Sequence, residues 1–344
     1  VYVIIAIAVK IAGVKWINKI MPAVVIGPTV SIIGLSLAGN AIGDLTNSAG
    51  TCTASPYVCI VCGLVTLFTV VICSVYGKKT AKLIPFIIGI LAGYVVAAIF
   101  TVIGIKTGND ALKVIDFTIF SGMKIFSVPD FTFMEAFKGI KEIDGGYIAS
   151  IAVAYVPVAF VVFAEHIADH KNLSSVIGKE LLEDPGLHRT LLGDGVGSMI
   201  GAFFGGCPNT TYGESVGCVA ITGNASVVTI LTTAVMAMVI SFFGPFVTFL
   251  SSIPSCVMGG VCITLYGFIA VSGLKMIQKV DLDANKNLFV VAVILICGIG
   301  NLSISFGKVT LTSIACALIL GIITNAVLHR GDKEESELDE ARDR

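Results

Sequence analysis

Two carboxylates stand where carboxylates are costly. Glu165 closes the apolar run VAYVPVAFVVFAE, and Glu214 follows the broken stretch Cys207-Pro208-Asn209-Thr210-Thr211-Tyr212-Gly213, after which a helical pattern begins at Ser215. A charge at the centre of a bilayer costs on the order of 2.5–3.5 kcal/mol on insertion scales, so such residues usually face a polar cavity. Glu214 sits where a helix starts, beside unpaired backbone N–H groups and the positive end of the helix dipole. The N–H groups of Gly213 and Glu214 can donate to a ring carbonyl, and the two carboxylates can accept from ring N–H groups. That is the complement of a small planar heterocycle. Carboxyl groups in low dielectric hold protons more readily, so one of the pair could travel protonated with its ligand, which is the chemistry of proton-coupled uptake. The competing reading of Glu165 is an interfacial cap at the end of a span.

Downstream the chain reads Glu165-His166-Ile167-Ala168-Asp169-His170. His166 and His170 lie four apart on one helical face, and HIADH is close to the inverted zinc motif H-x-x-E-H with Asp for Glu. An intramembrane zinc hydrolase is therefore the alternative from a different class. It lacks a third ligand, because His188 and His329 fall in a polar loop and the tail. Gly193, Gly197, Gly201 and Gly205 recur every four residues over Thr190 to Gly206, which predicts close helix packing through a bare face. A nucleotide-binding loop is the weaker reading of GDGVG, since no βαβ unit surrounds it. Cys59 and Cys62 form a CxxC inside an apolar run, and the ten cysteines read as small buried hydrophobes. Asp184 to Arg189 is a polar Pro-Gly turn.

The elements that must hold these groups are membrane spans. Of the 344 residues 56% are hydrophobic and 13% charged, and the mean hydropathy is +0.95; a soluble chain carries about 25% charge. Uncharged runs cover Pro22 to Ile42, Pro56 to Tyr76, Leu83 to Ile105, Gly145 to Ala164, Ser226 to Pro254, Cys256 to Leu274, Leu288 to Phe306 and Val309 to Leu328. Each has roughly the 17–25 residues an α-helix needs to cross a bilayer. The fold class is an all-α polytopic membrane protein. A net charge of -1 with scattered basic residues excludes a nucleic-acid partner.

Alternating the spans places sixteen Lys and Arg on one side and six on the other, which assigns the first side and the tail from Gly331 to the cytoplasm. The alternation requires Thr190 to Gly206 and Thr210 to Gly223 to be two crossings, the second broken. Irregular backbone at membrane depth is tolerated where it lines a cavity, and in transporters it marks the substrate site. Gly108 to Asp144 is the one long polar connection, and its role is not legible. The chain opens inside an apolar element, at Val1, and reads as a fragment lacking its N-terminal part.

The stretches AEHIADH (164–170), DPGLHR (184–189), PNTTYGESVGCVAITG (208–223) and SIPSCVMGGVCITLYGFIAVSGL (252–274) resemble the nucleobase-ascorbate transporter family, most of all its bacterial uracil permease branch. The resemblance runs from near Val1 to about Leu328. It implies a fold of fourteen spans in two inverted repeats of seven, with core and gate domains, here without spans one to three and part of four. On that pattern 1–19 is a remnant of span four in the core, 20–106 holds gate spans five to seven, and 107–143 is an extracytoplasmic loop. Core spans eight to eleven take 144–252, gate spans twelve to fourteen take 253–328, and 329–344 is a cytoplasmic tail. Glu165, Gly213 and Glu214 match the family's substrate-binding positions. The signature after Glu214 is met at Gly217 and Thr222 and departs at Ser215, where Asn is usual. Asp169 stands where uracil permeases carry a His, which leaves Glu165, Asp169 and His166 as proton-coupling candidates. The resemblance implies a multi-pass plasma-membrane transporter, not an enzyme, with no cofactor beyond a coupling proton, no metal, a nucleobase and the lipid bilayer as partners, and a homodimer as candidate assembly. A glutamate at 214 favours uracil over xanthine, because an acceptor-only carboxylate suits ring N–H groups. A xanthine or purine permease and an anion carrier on the same fold are the alternatives.

Overall fold

The computed structural model describes residues 1–13, 20–48, 52–78, 80–126, 128, 133, 137, 139, 143–207, 209–213, 215–216, 219, 223–306 and 309–329. Its helices start and stop where local chemistry dictates. Helices α1 (Tyr2–Ala12), α2 (Ala23–Ser36) and α3 (Ala38–Asp44) come first. Helices α4 (Pro56–Tyr76) and α5 (Pro85–Thr107) each open on a proline, whose missing N–H is one that the first turn leaves unpaired anyway. Helix α6 (Gly145–Ile177) is 33 residues long. Asp144 caps it by accepting from the Tyr147 N–H at 2.6 Å, and Gly178 ends it in the left-handed region at φ 70°. Then follow α7 (Leu187–Phe203), α8 (Val227–Ile240), α9 (Gly244–Ser251), α10 (Ser255–Ile277), α11 (Asn285–Ile299) and α12 (Ser313–Leu328).

Among the described residues five helical stretches are long and apolar enough to cross a membrane: Ala23–Asp44, Pro56–Tyr76, Pro85–Thr107, Gly145–Ser174 and Ser255–Ile277. Three of the expected runs fold differently. Ser226 to Pro254 divides into α8 and α9 at Phe243, because Pro245 occupies the first turn of a new helix. Leu288 to Phe306 and Val309 to Leu328 yield α11 and α12, of 15 and 16 residues, joined by an antiparallel hairpin. Strands β1 (Ile304–Phe306) and β2 (Val309–Leu311) pair Ile304 with Leu311 and Phe306 with Val309. Alternating β-branched and aromatic residues favour the pleated form there, so the all-α expectation is corrected by one hairpin. At about 1.5 Å per residue, neither flanking helix reaches the ~30 Å of a hydrocarbon core.

By packing, the chain divides into two units: residues 1–36, 131–216 and 268–344, and residues 37–130 and 217–267. The first has a core of Ile5, Val25, Ile32, Phe163, Ile167, Leu191, Ile294 and Leu318. Its helices close on glycines, with Gly273 against Ser31 and Gly27, Gly298 against Ile32, and Gly321 against Ile294. Across one of these contacts the Ser31 hydroxyl donates to the Ala270 carbonyl at 3.1 Å. The second unit is built on Cys59, Cys62, Ala97, Val114, Ile115, Cys256 and Val257. The loop after α5 belongs to this unit as far as residue 130. Thr101 Oγ1 accepts from the N–H groups of Val114 and Ile115, both at 3.0 Å, and the Gly244 N–H donates to the Ile125 carbonyl at 2.9 Å.

Candidate functional site

Helix α6 carries the chemistry and α7 holds it in place. Because α6 continues twelve residues past Glu165 to Ile177, Glu165 stands inside a helix and is not its cap. Glu165 and Asp169 lie one turn apart on one face, as do His166 and His170. Glu165 is half-buried, Asp169 is 8% exposed and His166 is 1% exposed. The two imidazoles stack with centroids 4.1 Å apart, and His170 Nδ1 donates to the His166 carbonyl at 2.8 Å.

His166 is committed to α7. Its Nδ1 lies 3.1 Å from Asp194 Oδ2 and its Nε2 3.0 Å from Thr190 Oγ1. Thr190 and Asp194 are themselves one turn apart, so one face of α7 meets both edges of the ring. The Thr190 hydroxyl can donate to the Leu187 carbonyl at 3.1 Å and accept from Nε2–H, or donate to Nε2 itself. A carboxylate only accepts, so a proton must lie between Nδ1 and Oδ2, whichever atom holds it. The pair is a buried, proton-requiring clasp between α6 and α7.

The broken element closes the site from another side. Residues 209–212 are non-helical, and Ser198 of α7 ties them down by hydrogen bonds to the carbonyl and the Oδ1 of Asn209 at 2.6 and 2.9 Å. Gly213 then comes so close to α6 that a Cβ on it would sit 3.0 Å from Asp169 Oδ1. Gly213 and Asp169 thus meet, whereas Glu214, Gly217 and Thr222 lie outside the described residues. Among the described residues a Cβ added at Gly193, Gly197 or Gly201 would meet nothing within 4 Å, Gly205 lies beyond the end of α7, and the close approach of α7 falls at Gly195, against Tyr2 of α1.

Sequence reasoning missed Tyr2, Thr190, Asp194 and Thr210. Asp194 carried a usable signal, a carboxylate inside a glycine-rich helix one turn after Thr190, but the glycine spacing drew attention first. With both His166 nitrogens occupied by α7, HIADH is not disposed as a zinc motif, and among the described residues no group of three His, Cys, Asp or Glu could hold a metal ion.

A model of the permease family matches residues 1–306. The chain belongs to the permease family. It is 38% identical over 331 residues to the uracil permease of Bacillus caldolyticus, covering 95% of this chain and 72% of that protein. To the uracil permease of Bacillus subtilis (strain 168) it is 36% identical over 347 residues, covering 99% and 76%. The uracil permease of Escherichia coli (strain K12) is 33% identical over 325 residues, covering 93% and 70%. This permease is therefore a multi-pass membrane transporter and not an enzyme, which sets the zinc-hydrolase alternative aside. The site on α6 and α7 lies inside the matched region.

Proposed function

We propose that this permease takes up uracil across the plasma membrane together with a proton. The observation that carries the reading is the close approach of Gly213, at the end of the broken segment, to Asp169, one turn of α6 from Glu165. Irregular backbone beside acidic side chains, inside a helix of span length, has the character of a transporter substrate site. In this reading the Glu165 and Glu214 carboxylates accept from the ring N–H groups, and the Gly213 N–H donates to a ring carbonyl. The coupled proton passes through Glu165 and Asp169. His166, clasped to Asp194, is a positioning residue for its neighbour Glu165 and does not carry the proton. Transport proceeds by movement of a core (1–19 and 144–252) against a gate (20–106 and 253–328), with no cofactor and the C-terminus in the cytoplasm.

The names of the relatives, uracil permeases from three species, support uracil as the substrate. A xanthine permease of the same family is the second reading, and the carboxylate at Glu214 disfavours it. Uptake of labelled uracil by cells expressing the protein, competed with unlabelled uracil, xanthine and simple anions, tests the proposal. Competition by uracil alone is expected; competition by xanthine alone, or by anions, overturns it.

A further inference from the structure

We propose that the hydroxyl of Tyr2, together with that of Thr210, is a specificity-determining contact to a ring carbonyl oxygen of the transported base. The inference rests on the reading of this site as a nucleobase site and assigns it a donor wall on α1 that the carboxylates cannot supply.

The Tyr2 ring is held from three directions. Its centroid lies 6.5 Å from that of Phe163 and 6.0 Å from that of His166, both edge-on at 71° and 75°. Its Cβ faces Gly195 of α7, where an added Cβ would come within 2.9 Å. A ring so placed cannot swing aside, and its hydroxyl is delivered to a fixed point. There the hydroxyl is fully buried and has no hydrogen-bond partner among the described residues. Thr210 is its neighbour, and the carboxyl groups of Asp194 and Glu165 lie in its surroundings. The hydroxyls of Thr210 and Thr211 are likewise buried and without partners among the described residues.

One buried hydroxyl without a partner costs about 1–3 kcal/mol, and native proteins keep few of them. Two side by side, on Tyr2 and Thr210, beside the acidic groups already assigned, point to a ligand that completes them. The division of labour is chemical. Carboxylates accept and do not donate when ionised, so they read ring N–H groups, whereas a neutral heterocycle with two carbonyl oxygens also needs donors. A phenol and a threonine hydroxyl supply donors without adding charge. Phenylalanine would pack equally well on Phe163 and His166, so the polar tip of Tyr2 is the part that packing does not account for.

The test compares competition of uracil, 2-thiouracil and 4-thiouracil against labelled uracil on purified wild-type, Tyr2→Phe and Thr210→Val protein. Sulfur is a poor acceptor, so the wild type should discriminate most strongly against the analogue whose sulfur replaces the contacted oxygen. Tyr2→Phe is expected to weaken uracil binding by about fivefold to thirtyfold and to shrink that discrimination toward unity, with an unchanged melting temperature. Thr210→Val should shift the same analogue in the same direction, and it carries the test alone if Tyr2→Phe does not fold. Uracil binding unchanged in both variants, or lost equally for uracil and both thio-analogues, overturns the inference. Wild-type protein that does not bind uracil overturns the nucleobase reading itself, which separates the two failures.

Discussion

Asp194 offers the sharpest perturbation of the site's scaffold. Its Oδ2 lies 3.1 Å from His166 Nδ1, and the two side chains are only 9% and 1% exposed. Asp194→Ala removes the partner and leaves a ring nitrogen buried and unpaired. Breaking a buried pair from one side costs about 3–5 kcal/mol. Asp194→Asn behaves differently. Its amide can donate to Nδ1 of a neutral imidazole whose Nε2–H still donates to Thr190, so every polar atom of the ring keeps a partner and the loss is that of one charge-assisted bond, about 1 kcal/mol. The two variants should therefore differ by about 2 kcal/mol or more, roughly thirtyfold in the ratio of folded to unfolded protein. Unfolding of the three proteins in detergent, followed by far-ultraviolet circular dichroism, reads this directly. The order wild type, then Asn slightly below, then Ala far below is expected. Equal losses for Asn and Ala would refute the clasp, because they would mean that Nδ1 has no need of Asp194.

The remaining predictions concern the site and its surroundings. Glu165→Gln should abolish uracil uptake while leaving stability nearly unchanged, since it removes an acceptor and a proton carrier but keeps the shape of the side chain; uptake assays at matched expression check this. Gly213→Ala should weaken uracil binding by about tenfold or more, because its Cβ would press on Asp169 from 3.0 Å, which a binding isotherm would show. Gly197→Ala, whose added Cβ meets nothing within 4 Å among the described residues, should be neutral or stabilising by about 0.5–1 kcal/mol, the usual gain of Ala over Gly inside a helix; a clear loss in thermal unfolding would restore the expected glycine packing face. Initial uptake rates should fall as external pH rises, and a flat profile would remove the proton from the cycle.

Much of the site was legible because charge in an apolar sequence is conspicuous. Glu165 and the breaker before Gly213 announce themselves by cost and by irregularity, whereas the approach of Gly213 to Asp169 comes from the fold. Tyr2 was invisible for the opposite reason: a tyrosine in an apolar helix has no anomalous composition, and its meaning comes from Thr210, more than two hundred residues away in the chain. Asp194 was readable in principle, but its partner His166 sits 28 residues upstream, and only the packing of α6 on α7 shows which residues meet. The long uncharged runs forecast most spans, yet hydropathy cannot see that Gly244-Pro245 restarts a helix or that Ile304–Phe306 pairs with Val309–Leu311 as strands. Those features depend on backbone geometry within a stretch that is apolar throughout.

The central claim is that an acidic site on α6, closed by the broken segment before Gly213, binds a nucleobase. Equilibrium binding of labelled uracil to purified protein, measured side by side for the wild type and Glu165→Gln, tests it most directly. Saturable binding by the wild type, displaced by excess unlabelled uracil and lost or greatly weakened in a folded Glu165→Gln variant, is the predicted result. Equal affinity in the two proteins would contradict the account.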